Sequence, residues 1–278
     1  MNNVEVLVST MNQENKDLLS KMKIASNAVI VNQCGRKETD CIEYKQNHVL
    51  WIDSNDLGLS KSRNIAIANS KSSIIVLADD DVEYIEGYAK VIENAFLKFP
   101  DADAIAFCVE GIEEPFKEYE DKEKRINFLS SMHLCSVELA FKRESIIKNQ
   151  IFFNEKFGSG ANYKMGEENI FLFNCLKKKL KIYYVPEKIA CLHIGNSSWF
   201  QGFNNKYFFD RGAINRELFG TVLGRLMSIR FAISKYEMYK DQMSRSQAIR
   251  QMFLGLKDYE KGLKQDDIKN WNKRNKNQ

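Results

Sequence analysis

Proline is scarce in this chain, with three in 278 residues, so no Pro-rich linker divides it. Histidine is as scarce, also at three (48, 133 and 193), and only His193, at the end of an apolar run, has a context that singles it out. The six cysteines (34, 41, 108, 135, 175, 191) are scattered and form no C-x-x-C pair. That spacing excludes a zinc ribbon and a disulfide scaffold, and reads as reduced, mostly buried thiols of a cytoplasmic protein. No apolar run approaches the ~20 residues needed to span a bilayer. The segment Met1-Asn2-Asn3-Val4-Glu5 has no basic region leading into an apolar stretch, so no secretory signal is expected.

What is present is ordinary globular material: 44% hydrophobic and 28% charged residues. A chain of this length can hold one large α/β domain with a short appendage. The net charge of +4 is unevenly placed. From Arg216 onward there are 14 Lys and Arg against 7 Asp and Glu, and before it 27 against 30. The body is slightly acidic and the tail basic. The tail carries no recognisable nucleic-acid module, so no nucleic-acid partner is expected.

Short β-branched runs alternate with helical patterns: Val4–Val8, Ala28–Val31, Val49–Ile52 and Ile74–Ala78 as strands, Ser60–Asn69 and Glu86–Phe99 as helices. This alternation predicts a mostly parallel sheet flanked by helices. In such sheets ligands bind beyond the carboxyl ends of the strands. Further strands are predicted at Ser136–Phe141, Lys181–Val185 and Ile189–His193. The charge-dense segment Gly111–Asn127 reads as a mobile excursion, and Phe157–Ala161 as a polar loop. From about Phe203 the pattern is helical to near Leu263, and Gln265–Gln278 is polar enough to fray. The expected division is a catalytic domain over 1–215 and a basic helical extension over 216–278.

The run Asp79-Asp80-Asp81 follows the apolar strand Ile74–Ala78 directly. Adjacent carboxylates repel by roughly 1 kcal/mol per pair even in a water-like dielectric. A turn would need one Asp, whereas a hard divalent cation removes the repulsion of all three. Gly58-Leu59-Ser60-Lys61-Ser62-Arg63-Asn64-Ile65-Ala66 reads as a glycine loop feeding a helix, with Ser60 as the candidate N-cap and an N-terminus suited to anions. Glu167 and Glu168 open an apolar helix, where acidic side chains also stabilise the helix dipole.

This ordered set resembles the family 2 glycosyltransferases, inverting enzymes of the GT-A fold, over about residues 3 to 215. The resemblance implies a nucleotide-sugar donor, with UDP-hexose as the default, and a divalent metal, Mn²⁺ or Mg²⁺. It implies that Asp81 binds the metal and Asp79 the ribose, with Asp80 able to take either role. It places Thr10, Asn12, Asn32, Gln33 and Arg63 against the donor. Where relatives often carry an Asp pair after the second strand, Asn32-Gln33 stands here; an amide offers both donor and acceptor to a pyrimidine edge. The general base falls to Glu168, with Glu167 as the fallback. His193 is either a structural histidine or a completing metal ligand, and Trp199 either packing or an acceptor-stacking ring.

The implied acceptor is a glycan or lipid-linked glycan of surface polysaccharide synthesis. The basic helices would touch the inner face of the membrane, pack on the catalytic domain or form a homodimer. Two other readings remain: a sugar-phosphate nucleotidyltransferase, and a non-catalytic sugar-binding relative. The first expects a Gly-rich basic loop after the first strand, where this chain has Ser9-Thr10-Met11-Asn12-Gln13-Glu14.

Overall fold

The computed structural model describes residues 3–194 and 202–276, with 265–276 given by backbone path only. In chain order the elements begin β1 (Val4–Met11), α1 (Leu18–Lys21), β2 (Asn27–Gln33), β3 (Glu38–Tyr44), β4 (Asn47–Ser54), α2 (Leu59–Asn69) and β5 (Ile74–Asp79). They continue as β6 (Val82–Tyr84), α3 (Tyr88–Lys98), β7 (Ala104–Gly111), β8 (Lys124–Arg125), β9 (Leu139–Lys142) and α4 (Arg143–Lys148). The last are α5 (Glu167–Lys177), β10 (Ile182–Leu192), α6 (Asn205–Ser234) and α7 (Arg245–Lys276).

The strands form one mixed sheet in the order β3-β4-β2-β1-β5-β9-β7-β10-β6, with β8 added to β10. The pairs β4-β2, β2-β1 and β1-β5 are parallel, as is β7-β10; β9 runs antiparallel between β5 and β7. Successive side chains of a strand point to opposite faces. Val4, Val6 and Val8 therefore join one apolar layer, with Leu18 and Leu19 of α1 and Ile92 and Phe96 of α3. Leu7, Val29, Val31, Ile75 and Leu77 join the other, with Ala66 and Ile67 of α2 and Phe171 and Leu172 of α5. Burial on both faces is why these strands read as continuous apolar runs.

Register decides what meets at the strand ends. Thr10, Asn32 and Asp53 are aligned across β1, β2 and β4, and Ser9 lies beside Asp79 of β5. The expected mostly parallel core is present, with helices packed on its faces.

Several boundaries differ from expectation. The two short strands predicted over 181–193 are one long β10, bent by register shifts between Tyr184 and Ala190. Of Ser136–Phe141, the first three residues form a 3₁₀ turn before β9. The Gly111–Asn127 excursion is tied down: β8 pairs with β10, and Lys117 and Tyr119 both reach the fully buried Glu138. Helix α7 runs to Lys276, through the residues expected to fray.

The chain divides into two compact units, Met1–Asn162 with Glu167–Ser197, and Tyr163–Gly166 with Ser198–Gln278. The expected boundary at 215/216 falls inside α6. In the second unit, α6 breaks at Gly220 (φ 76°, ψ −172°), and its two halves fold back on each other. Asn215 in the first half donates to the Ser228 hydroxyl in the second at 2.9 Å, and the Arg211 guanidinium stands 4.6 Å from the Phe231 ring centre.

Candidate active site

Three of the strand ends expected to carry chemistry, those of β1, β2 and β5, bring their side chains together with α2 and the start of α5, all within the first unit. At the centre lies Arg63, drawn from the first turns of α2 and only 1% exposed. One of its terminal nitrogens donates to both oxygens of Asp79, at 2.9 and 3.1 Å, and to the Ser136 hydroxyl at 2.7 Å. The other donates to Glu167 at 3.3 Å. Its plane stands 5.3 Å from the Phe153 ring centre, within cation–π range. The resemblance set Arg63 against the nucleotide; here the residue is spent holding two carboxylates from β5 and α5 together. A buried arginine can be stable only with such partners.

Asp79 remains about a third exposed beyond its contact with Arg63. Asp80 is exposed and accepts a short hydrogen bond from the Thr10 hydroxyl at the end of β1. Asp81 differs from both. Its Oδ1 is buried and has no hydrogen-bond partner. Burial, then the charges of Asp79 and Asp80, push its carboxyl up to about 6. A buried acceptor left unmade is costly, and a cation at that oxygen would relieve both the missing partner and the repulsion. Among the described residues no three His, Cys, Asp or Glu side chains form a metal cage. The donor set instead fits a hard ion that takes its other oxygens from substrate and water.

Glu167 and Glu168 are the first residues of α5. Burial raises the Glu167 carboxyl, against the pull of Arg63. Burial and then the neighbouring Glu167 push Glu168 up to about 8, with Arg63 opposing. Arg63 holds Glu167 directly at 3.3 Å, and among the described residues Glu168 makes no ion pair with a cation.

His193 follows β10, and its backbone N–H donates to the Asp81 carbonyl at 3.0 Å. Its ring lies between Glu113 at 2.8 Å and Glu83 at 2.9 Å, and these hydrogen bonds raise its pKa. Both ring nitrogens are engaged, so ligation of a metal by His193 requires release of one glutamate. Trp199 lies outside the described residues.

The amides at the end of β2 are also committed. Asn32 is fully buried, accepts from the Gln13 N–H at 2.9 Å, and donates to the Gln13 carbonyl and to Asp53. Gln33 accepts from the Gly58 N–H at 2.7 Å and reaches back to the Thr10 carbonyl. Both residues, expected to face a base edge, fix the loops after β1 and β4. Asn12 is left exposed past the end of β1, with a left-handed backbone (φ 53°).

Ser60 is not the N-cap of α2. Gly58 occupies that position, and the Ser60 hydroxyl donates to the Phe157 carbonyl at 2.6 Å, seating the 157–161 loop on the helix start. A cavity of about 180 Å³ lies between these segments, beside Lys61 and Lys156. A larger one of about 380 Å³ opens at the end of β7, beside Glu113 and Phe116.

Asp53 lies at one of the strand ends where the sequence places ligand binding, whereas Ser136 and Glu138 escape sequence reasoning. Asp53 accepts from Asn32, Trp51 and Arg36; burial works to raise its carboxyl, but these partners hold it below the ordinary value. Ser136 and Glu138 reach the site through a 3₁₀ turn.

Residues 29–163 match the family model described as glycosyl transferase family 2. This part of the chain belongs to that family. The glycosyltransferase match spans β2 through the 157–161 loop, and so includes Arg63 and the Asp run. It ends before Glu167, whose place rests on the geometry above. No curated relative matches the sequence. Among solved structures the chain resembles S. aureus TarS 1–349 in complex with UDP-GlcNAc. That likeness has a TM-score of 0.61 at 14% identity, over 92% of this chain and 80% of that one. The complex of the same fragment with UDP gives 0.56 at 16%, over 87% and 75%.

Proposed function

We propose that this glycosyltransferase is an inverting, metal-dependent enzyme that transfers a sugar from a UDP-sugar to a glycan or lipid-linked acceptor of surface polysaccharide. The observation that carries the reading is the buried, partnerless oxygen of Asp81, set in one strand-end cluster with Asp79, Arg63 and the Glu167–Glu168 pair. Asp81 would hold the divalent cation, with His193 joining once it leaves Glu83. Such a cation, when bound, offsets the negative charge that develops on the leaving diphosphate.

The chain's own residues do the rest. Arg63 keeps Asp79 oriented toward the ribose. Thr10, Asp80 and Asn12 are the polar side chains that line the donor's path. Glu168 takes the proton of the acceptor hydroxyl as that oxygen attacks the anomeric carbon. The likeness to TarS bound to UDP-GlcNAc supports a UDP-sugar as donor. No described helix is long and apolar enough to cross a membrane, which suits an enzyme working at the cytoplasmic surface.

Calorimetric titration with UDP, with and without Mn²⁺, tests the reading. Binding that requires the metal and disappears in Asp81→Ala supports it. Equal binding in both conditions, or in the variant, sinks the metal role. No heat with UDP in either condition sinks the donor assignment.

A further inference from the structure

The second half of α6 wears its side chains inside out. A surface helix normally buries its large apolar residues and exposes polar ones. Here the buried positions are Gly224, Ser228 and Ala232, spaced four apart, which lets this half lie close against the first half of α6. A Cβ on Gly224 would stand 2.7 Å from the Asn215 carbonyl oxygen, so a larger residue does not fit.

The large residues face outward instead. Val222 is 76% exposed and Ile233 58%, and Leu223, Leu226 and Ile229 are exposed between them. The steps from Val222 to Leu226, Ile229 and Ile233 are four, three and four residues, which puts them on one stripe of the helix. Apolar residues scattered singly over a surface need no explanation, but a continuous stripe marks a surface that something covers.

The charge pattern says what covers it. No Asp or Glu occurs between Glu217 and Glu237, whereas Arg225, Arg230 and Lys235 all fall in that interval and all are exposed. A two-fold contact with a second copy would apply the same patch to itself and set these cations against one another. An anionic bilayer complements both features, since apolar side chains enter the acyl boundary while Arg and Lys meet the headgroups.

We infer that the Val222–Ile233 face of α6 is a docking surface for an anionic lipid bilayer. The inference does not depend on the donor, the metal or the catalytic residues, so its test needs no substrate. The full chain is sedimented with vesicles of phosphatidylcholine alone and of an equal mixture of phosphatidylcholine and phosphatidylglycerol. The expected result is binding to the anionic vesicles only, weakened by salt. Replacing both arginines (Arg225→Gln with Arg230→Gln) should weaken it by about tenfold or more. Replacing Leu226→Ser with Ile233→Ser should abolish it.

These four side chains are exposed, and far-ultraviolet circular dichroism checks that each double variant remains folded. If the serine pair does not fold, the glutamine pair decides. Failure of the native chain to sediment with anionic vesicles overturns the inference, as does binding that neither pair of substitutions changes. A native dimer by analytical ultracentrifugation that the serine pair converts to monomer, without vesicle binding, also overturns it and gives the face to a second copy.

Discussion

Arg63 concentrates more of the site's energetics than any other side chain. It is the one buried cation between Asp79 and the Glu167–Glu168 pair, so its loss strands carboxylates in a low dielectric. Arg63→Met should cost about 3–5 kcal/mol, the usual penalty for breaking a buried pair on one side, read as a drop in the urea midpoint at unchanged slope. Glu168 makes a second prediction. Its carboxyl sits at about 8 in the folded protein against an ordinary 4.5. Between those values the native state keeps a proton that the unfolded chain has released. Stability must therefore fall as pH rises from about 4.5 through about 8. Glu168→Gln removes the titration, so its thermal midpoint should gain on the native protein with rising pH and match it most closely near pH 4.5. A gain that is independent of pH would contradict the assignment. The Asp run was legible beforehand because clustered charge after an apolar strand has no cheap structural explanation; the Glu pair, which helix-dipole stabilisation alone would explain, stood out only through the family resemblance. Arg63's burial was not, since nothing in a single helix pattern reveals which arginine will meet carboxylates 16 and 104 residues further along the chain. The contacts of Asn32 and Gln33 were hidden for the same reason: their partners, Gln13, Asp53 and Gly58, become neighbours only through the register of β1, β2 and β4.

The strands buried on both faces announced themselves as apolar runs, and β1, β2, β4 and β5 lie where those runs fall. Strand β3 did not, because it is an exposed edge strand whose residues alternate charge with little apolar content. The predicted pair at 181–193 fused into β10 because Pro186 and Glu187 occupy an irregularity in its register with β7 and do not end the strand. Among the helices, close packing of α6 and α7 depends on two glycines. A Cβ at Gly212 would lie 1.9 Å from the Met252 carbonyl oxygen, and one at Gly255 1.8 Å from that of Phe209. Gly212→Ala or Gly255→Ala must push these helices apart, costing about 1–3 kcal/mol or more. Thermal unfolding of either variant reads the loss. An unchanged midpoint would mean that the helices do not cross at these positions.

Taken as a molecule, the chain pairs a family 2 glycosyltransferase unit with a helical unit of opposite charge character. The family match and the strand-end cluster coincide in the first unit, and the carboxylates that the sequence scatters over residues 79–168 become one constellation only through the fold. The division between units lies at 197/198, earlier than the charge pattern suggested, because composition shifts at Arg216 while α6 begins at Asn205. In the proposed mechanism the Asp81 and Glu168 carboxylates divide the work, one for the metal and donor and the other for the proton. The most direct test is release of UDP from UDP-GlcNAc, UDP-glucose and UDP-galactose in the presence of Mn²⁺, compared among the native protein, Asp81→Asn and Glu168→Gln. Metal-dependent release from at least one donor is expected, with UDP affinity lost in Asp81→Asn and a rate about 10²–10⁴-fold lower at unchanged UDP affinity in Glu168→Gln. Native-like release from Glu168→Gln, or metal-independent release by the native protein, would contradict it.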